Sequence, residues 1–375
     1  MDSSNGAEVS RSAAEENGTM RHQRKLAKKR HRSLQQFEEV PGSSSDKRSR
    51  VDAECQEAEG VPGNYVNRGR QFTVSVAVPG SILENAQSHK LRSYLAGQIA
   101  RTLTIFCIDE VVVYDEVAQL TTSDCDLIER GLYRGNNGNA LMVKILRFLE
   151  CPQYLRKSLF PLSPDLRCAG LLNPLNSFHH LEKDELSVPF REAIVLEKPS
   201  KSGRGSRCYA GLKRDVEIDK YLIPGTRVTL ETLDTSAGRA WRRAKVVSPL
   251  KPVKTIGCYW GYNVRLAKSL RGALSESPYE GGYDLLIGTS DKGENVNEVA
   301  LPNFRHALIV FGGLKGIEYG VENDEGICTD DITSLFHLYI NTCPNQGCRS
   351  IRTEEAMLIT LSALQPKIHA AVSSS

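Results

Sequence analysis

Phe72-Thr73-Val74-Ser75-Val76-Ala77-Val78, closed by Pro79-Gly80, is the stretch on which the fold turns. It is a β-forming run that stops at a loop signal, so it reads as a strand. Downstream, Leu91, Leu95, Ile99 and Leu103 recur at every fourth position with Tyr94 and Phe106 beside them, which predicts a helix with one apolar face. Val111-Val112-Val113-Tyr114 follows, an apolar run of the kind that a sheet buries on both faces. Strand, helix, strand is a βαβ unit with a parallel sheet, and the fold class is α/β. A looser stretch with Asn136-Asn137-Gly138-Asn139 leads into a second helix carrying Leu141, Ile145 and Leu149 on one side.

From about 180 to 258 the pattern changes to short β-like runs between Gly, Pro and charged turns: Ala193-Ile194-Val195-Leu196, Val216-Glu217-Ile218, Thr226-Arg227-Val228-Thr229-Leu230 and Ala244-Lys245-Val246-Val247. Short strands at this spacing predict a small β-barrel, with an OB-like fold in front. Residues 181–271 hold 19 Lys or Arg against 10 Asp or Glu, so the positive charge collects here. Trp241, Arg242, Arg243 and Lys245 interleave an aromatic ring with cations, as an RNA-binding surface would; Trp241 suits a barrel core equally.

The α/β character then returns. Tyr283-Asp284-Leu285-Leu286-Ile287, His306-Ala307-Leu308-Ile309-Val310-Phe311 and Leu335-Phe336-His337-Leu338-Tyr339-Ile340 are strand candidates, each running into a polar or glycine-rich loop. The barrel is therefore an insertion into one domain: 70–179 and 259–375 form the α/β part, 180–258 the barrel. The loops are Gly288-Thr289-Ser290-Asp291-Lys292-Gly293, Gly312-Gly313-Leu314-Lys315-Gly316 and the stretch from Asn341 to Ser350. Ligands of parallel sheets gather at such strand ends. Glycine lets a flat ring approach the main chain, and Thr289, Ser290, Asn341 and Thr342 offer groups for ribose hydroxyls or a ligand amine. Strand-to-helix turns also use these residues for geometry alone. The Gly-Lys-Ser/Thr ending of a P-loop is missing, which argues against nucleotide hydrolysis.

After the third loop, Thr353 is placed to cap a helix with Glu354 and Glu355 in its first turn, and Met357, Leu361 and Leu364 give that helix an apolar side. Capping explains these residues without catalysis; Arg352 has no equally simple structural duty.

The 375 residues, 40% apolar and 25% charged, suffice for a full core and two folded units plus a tail. Residues 1–69 lack an apolar period and read as a disordered basic tail. Seven of the twelve residues from Arg21 to Arg32 are Lys or Arg, and Asp46-Lys47-Arg48-Ser49-Arg50 adds a second cluster, which suits nuclear import or loose RNA contact as well as plain solvation. The ten cysteines form no CxxC pair, which argues against a disulfide scaffold and a zinc finger, and no metal is expected. No stretch nears the roughly 18 apolar residues that a membrane span needs, so a soluble intracellular protein without membrane contact is expected.

Pro79-Gly80-Ser81-Ile82-Leu83, Leu95-Ala96-Gly97-Gln98-Ile99-Ala100-Arg101, Glu150-Cys151-Pro152-Gln153-Tyr154-Leu155-Arg156-Lys157, Leu301-Pro302-Asn303-Phe304-Arg305-His306-Ala307 and Ile351-Arg352-Thr353-Glu354-Glu355-Ala356 together resemble the SPOUT domain-containing RNA methyltransferases of eukaryotes, whose animal members are also described as centromere-associated. The likeness covers about 70–375. It implies a SPOUT trefoil-knot methyltransferase domain with an inserted OB-like barrel, a homodimer, and S-adenosyl-L-methionine bound by Ile287, Gly288, Thr289, Ser290, Gly312, Gly313, Asn341, Thr342 and the stretch Gly347, Ser350, Ile351, Thr353. The nearest branches suggest N3 of a uridine in large-subunit ribosomal RNA as target. On that reading Arg352 stabilises the base anion and Glu354 or Glu355 is a base. A ribose 2′-hydroxyl target would use much the same residues. The rival reading is a non-catalytic adaptor at the centromere or spindle. The expected locations are the nucleus or nucleolus, the kinetochore and spindle in mitosis, and also the cytoplasm.

Overall fold

A computed structural model describes residues 69–183, 185–199, 205–233, 242–329 and 331–373. The tail reading of residues 1–69 falls almost wholly outside the described residues.

The βαβ unit forms as read. β1 (Thr73–Pro79) and β2 (Glu110–Tyr114) pair in parallel with Val76 opposite Val111, and α1 (His89–Ile105) lies between them in the chain. The Ser88 side chain accepts from the Leu91 amide at the start of α1, a cap that typically contributes about 1 kcal/mol. One part of the expected face is corrected: Leu91 and Tyr94 are about half exposed, whereas Ile99 and Leu103 are fully buried. A four-residue step overshoots a 3.6-residue turn by about 40°, so a row that faces the core at Leu103 has rotated away by Leu91. Ala96 and Ala100 complete the packed face instead.

α2 (Thr122–Glu129) begins with a reciprocal capping box of Thr121 and Asp124. α3 (Gly138–Glu150) starts at Asn137, whose side chain accepts from the Asn139 and Ala140 amides, and it buries Leu141, Ile145 and Leu149. α4 (Gln153–Leu159) follows.

The expected barrel is present and closed. β3 (Phe190–Pro199), β4 (Ser206–Tyr209), β5 (Val216–Ile218), β6 (Arg227–Thr232) and β7 (Arg243–Val247) join in the order β3-β4-β5-β7-β6. All pairings are antiparallel except β5 with β7. Its interior is built from Ala193, Val195, Cys208, Val216, Ile218 and Leu230. Beside it the Arg191 side chain, 1% exposed, donates to the carbonyls of Leu181, Glu182, Glu185 and Ala210. Strand β4 escaped the sequence reading because Cys208 is its one fully buried apolar side chain.

α5 (Lys251–Ile256) ends at Gly257, whose φ of 66° is the left-handed stop that favours glycine. β8 (Asn263–Ala267), α6 (Leu270–Ser275), β9 (Leu285–Asn295), β10 (His306–Val310), α7 (Gly316–Glu322), β11 (Leu338–Asn341) and α8 (Thr353–Ser373) complete the chain. The sheet has six strands in the order β11-β9-β10-β1-β2-β8, all parallel. Alternation divides its side chains between two layers. Val74, Val76, Val111, Val113 and Ile309 pack with α1, α3 and α8, while Ala77, Val112, Tyr114, Leu308 and Val310 pack with α6 and α7. Both faces are covered, as parallel sheets require.

A candidate cofactor cleft at the strand ends

β9 does not stop at Ile287 as the sequence suggested; it runs on to Asn295. Its ladder with β11 is nonetheless interrupted, because consecutive Tyr339 and Ile340 pair with Gly288 and Glu294. Thr289–Gly293 therefore leave the ladder. The first expected loop is a bulge within a strand, held where a loop would be by continued pairing beyond it.

This bulge, the turn after β10 and the segment after β11 surround a cleft of about 410 Å³, within the range of small-molecule sites. Thr289, Ser290, Gly312, Gly313, Asn341, Thr342, Ser350, Ile351 and Thr353 line it, so most of the expected cofactor positions come together. Ile287 instead belongs to the buried core. Gly288 lies against the Tyr339 and Phe336 rings, 2.6 and 2.8 Å from where a Cβ would stand, so its lack of a side chain serves strand packing. Gly347, Arg352, Glu354 and Glu355 do not line the cleft.

Several hydroxyls expected to meet a ligand are engaged in holding the loops. Thr289 Oγ1 donates to the Val310 carbonyl at 2.8 Å and Thr353 Oγ1 to the Gly312 carbonyl at 2.9 Å, while Thr342 and Thr360 share a hydrogen bond of 2.8 Å. Asn341 is similarly used: its Nδ2 donates to the Asp291 carbonyl and its Oδ1 accepts from the Cys343 amide. Ligand recognition thus falls mainly on backbone groups and on side chains that the sequence reading did not single out. Those are Asp291, Lys292, Lys315, Glu318 and Arg349; Lys292 and Glu318 face each other at 3.1 Å. All but Glu318 lay inside the three loops, and nothing local marked Glu318.

The start of α8 is also corrected. Thr353 is the first helical residue and not the cap; its hydroxyl is spent on Gly312. The Glu355 carboxylate accepts from the Arg352 amide at 3.1 Å, a carboxylate closing the first turn of a helix. Arg352 is exposed.

The cleft suits an adenosine carrying a charged amino acid chain. Phe311, Leu314, Ile340 and Ile359 offer an apolar wall, Asp291 and Glu318 offer acceptors for hydroxyls and cationic groups, and Lys292, Lys315 and Arg349 offer cations for a carboxylate. Gly312 has no room for a side chain, since a Cβ there would meet the Gly316 carbonyl carbon at 2.3 Å. The turn can close on the cleft because position 312 is bare and Gly316, with φ of 79°, turns the chain back.

Of the residues expected on an RNA surface, Arg242, Arg243 and Lys245 are exposed around β7, with Ala244 between them turned into the barrel. Trp241 lies outside the described residues.

A family model described as "Putative RNA methyltransferase" matches residues 73–364. The chain is 50% identical over 314 residues to a Homo sapiens protein named 28S rRNA (uridine-N(3))-methyltransferase, covering 83% of this chain and 82% of that one. The protein of the same name from Mus musculus is 51% identical over 304 residues, with 80% and 78% covered. That from Drosophila melanogaster is 45% identical over 329 residues, with 84% and 67% covered.

Proposed function

This chain belongs to the RNA methyltransferase family whose model it matches, and from that premise we propose that it methylates N3 of a uridine in large-subunit ribosomal RNA with S-adenosyl-L-methionine as donor. The observation that carries the reading is the convergence of three strand ends on one cleft, in a chain half identical to a protein named for that reaction.

When bound, the donor supplies an electrophilic methyl group on a sulfonium. The chain's own part is placement. The Gly312–Gly316 turn and the Thr289–Gly293 bulge, stapled by Thr289 and Thr353, present fixed backbone groups to the cleft. Asp291 and Glu318 favour a cationic ligand. To Arg352, exposed at the head of α8, we assign the approach to RNA and the stabilisation of charge on the base. The barrel, taken as OB-like, contributes Arg242, Arg243 and Lys245 to RNA binding.

Three further properties belong to this proposal: a trefoil knot in the C-terminal part, a homodimer, and action in the nucleus. Exposed Leu91 and Tyr94 on α1 and Leu358 on α8 offer apolar area for a second copy.

The test is calorimetry with S-adenosylmethionine followed by nucleoside mass spectrometry of ribosomal RNA incubated with the protein. Binding heat and N3-methyluridine are expected. A 2′-O-methyl product refutes the base assignment, and absence of binding heat refutes the cofactor reading.

A further inference from the structure

Glu116 stands two residues after the end of β2 and is 8% exposed. Its two carboxylate oxygens are treated differently by the protein. Oε1 accepts from the Ser81 hydroxyl at 2.5 Å, whereas Oε2 is buried without a hydrogen-bond partner among the described residues. A buried, unsatisfied carboxylate oxygen is costly, by several kcal/mol if ionised, and such an oxygen is a site waiting for a donor. Its surroundings say where the donor would come from. Oε2 stands 2.4 Å from the position that a Cβ on Gly313 would take, and Gly313 lines the cofactor cleft.

The topology places the same spot at the sheet's switch point. The chain leaves β1 for β2 on one side and leaves β10 for β11 on the other, while β1 and β10 are neighbours. Crevices at the carboxyl ends of such strand pairs are where α/β sheets bind ligands. Ser81 follows the end of β1 and Glu116 the end of β2, and Gly313 and Lys315 come from the turn after β10.

We infer that Glu116 is the catalytic base of the methyl transfer: the Gly313 main chain, which covers Oε2 in this structure, shifts as the target uracil enters the neighbouring cleft, the uracil N3–H is then directed at Oε2, and the carboxylate takes that proton. The inference rests on the uridine-N3 reading above. As the methyl group arrives, the N3–H bond breaks and its electron pair stays on the base. A new N3–C bond forms, and the S–C bond breaks with its pair left on sulfur. The proton passes to Glu116 and from there to water on product release. Lys315 is the nearby cation for a uracil carbonyl oxygen. Burial raises the Glu116 pKa, opposed by the Ser81 hydrogen bond; Asp115 and Glu84 raise it further and Lys315 lowers it. A raised value makes a stronger base for a weakly acidic imide. Cytosine has no proton on N3, so the same interaction selects uracil.

Glu116→Gln keeps the shape and the Ser81 hydrogen bond but cannot take the proton. With ribosomal RNA lacking the modification, kcat should fall about 100-fold or more, while the S-adenosylmethionine Kd and the melting temperature stay near wild type. The rise of kcat with pH that reports the carboxylate should vanish, and Glu116→Asp should recover part of the rate. Wild-type kcat and pH profile in Glu116→Gln overturn the inference, and so does a loss traced wholly to cofactor binding or unfolding. If wild-type protein makes no N3-methyluridine, the functional reading fails and this inference with it.

Discussion

Gly312 and Gly313 stand side by side after β10, yet their missing side chains serve different neighbours. A Cβ on Gly312 would strike the backbone of Gly316 and Ile317 at 2.3 and 2.4 Å, whereas the nearest atoms to one on Gly313 are those of the Glu116 carboxylate. Backbone cannot yield as a side chain does. Gly312→Ala should therefore destabilise the fold by about 1–3 kcal/mol and weaken S-adenosylmethionine binding together. Gly313→Ala should leave the melting temperature nearly unchanged and lower the rate of methyl transfer by displacing Glu116. Thermal melts of both variants with and without cofactor, set beside rates, separate the two. Equal destabilisation by both would contradict the difference in their surroundings.

At the scale of elements, the C-terminus of α3 is tied to the barrel by charge. Arg227 on β6 donates to Glu150 at 2.6 and 2.9 Å and to Glu192 at 2.7 Å. Glu192, fixed on β3, also accepts from Thr229 and from Trp260 Nε1 at 2.8 Å. Burial opposes ionisation of Glu150, but Arg227 and His179 outweigh it and hold the carboxyl well below its ordinary range. Arg227→Met leaves two buried carboxylates short of a cation, a loss of about 3–5 kcal/mol to be read by denaturant unfolding. A change under about 1 kcal/mol would mean that the pair acts as a surface ion pair. His180 lies beside this cluster, its Nε2 bonded to the backbone carbonyl of Glu150 at 2.7 Å, and burial, aided by His179, lowers its pKa to about 4. The folded state then binds fewer protons than the unfolded chain between about 4 and 6.5. Stability from this group is present above that window and is lost as pH falls through it. Asp109 acts oppositely: burial raises it to about 6, so the folded state gains as pH falls through that value. The comparison that isolates His180 is a variant. His180→Asn should lose less melting temperature between pH 7 and pH 5 than wild type does, and an equal loss would remove His180 from the effect.

For the whole molecule, the barrel's exposed cations are a charge surface set apart from the candidate cofactor cleft in the chain: β7 and the residue before it carry them, while β9, β10 and β11 build the cleft. Arg243 and Lys245 point outward because Ala244, one position between, fills the barrel interior. Reversing Arg242, Arg243 and Lys245 to Glu should weaken RNA binding and flatten its dependence on salt, by roughly one unit of slope for each phosphate no longer neutralised. S-adenosylmethionine binding should be unaffected. An unchanged salt slope would move the RNA surface to another part of the molecule.

Local pattern by itself determined the α/β class, the βαβ unit from Thr73 to Tyr114, the barrel strands with β-rich runs and the apolar side of α8, because each is written as a period within a dozen residues. It also marked the glycine-rich stretches after Ile287 and Phe311, since close backbone approach admits few other residues. Tertiary structure decided what those stretches do. Thr289, Thr342 and Thr353 became staples because their partners, Val310, Thr360 and Gly312, are brought near only by the folded sheet. β8, at the sheet's edge, was unreadable because its strand character comes from pairing with β2, Asn263 opposite Glu110. Glu116 carried no signal at all: a carboxylate after a strand is ordinary, and its unpaired oxygen exists only where the ends of β1, β2 and β10 meet and exclude water.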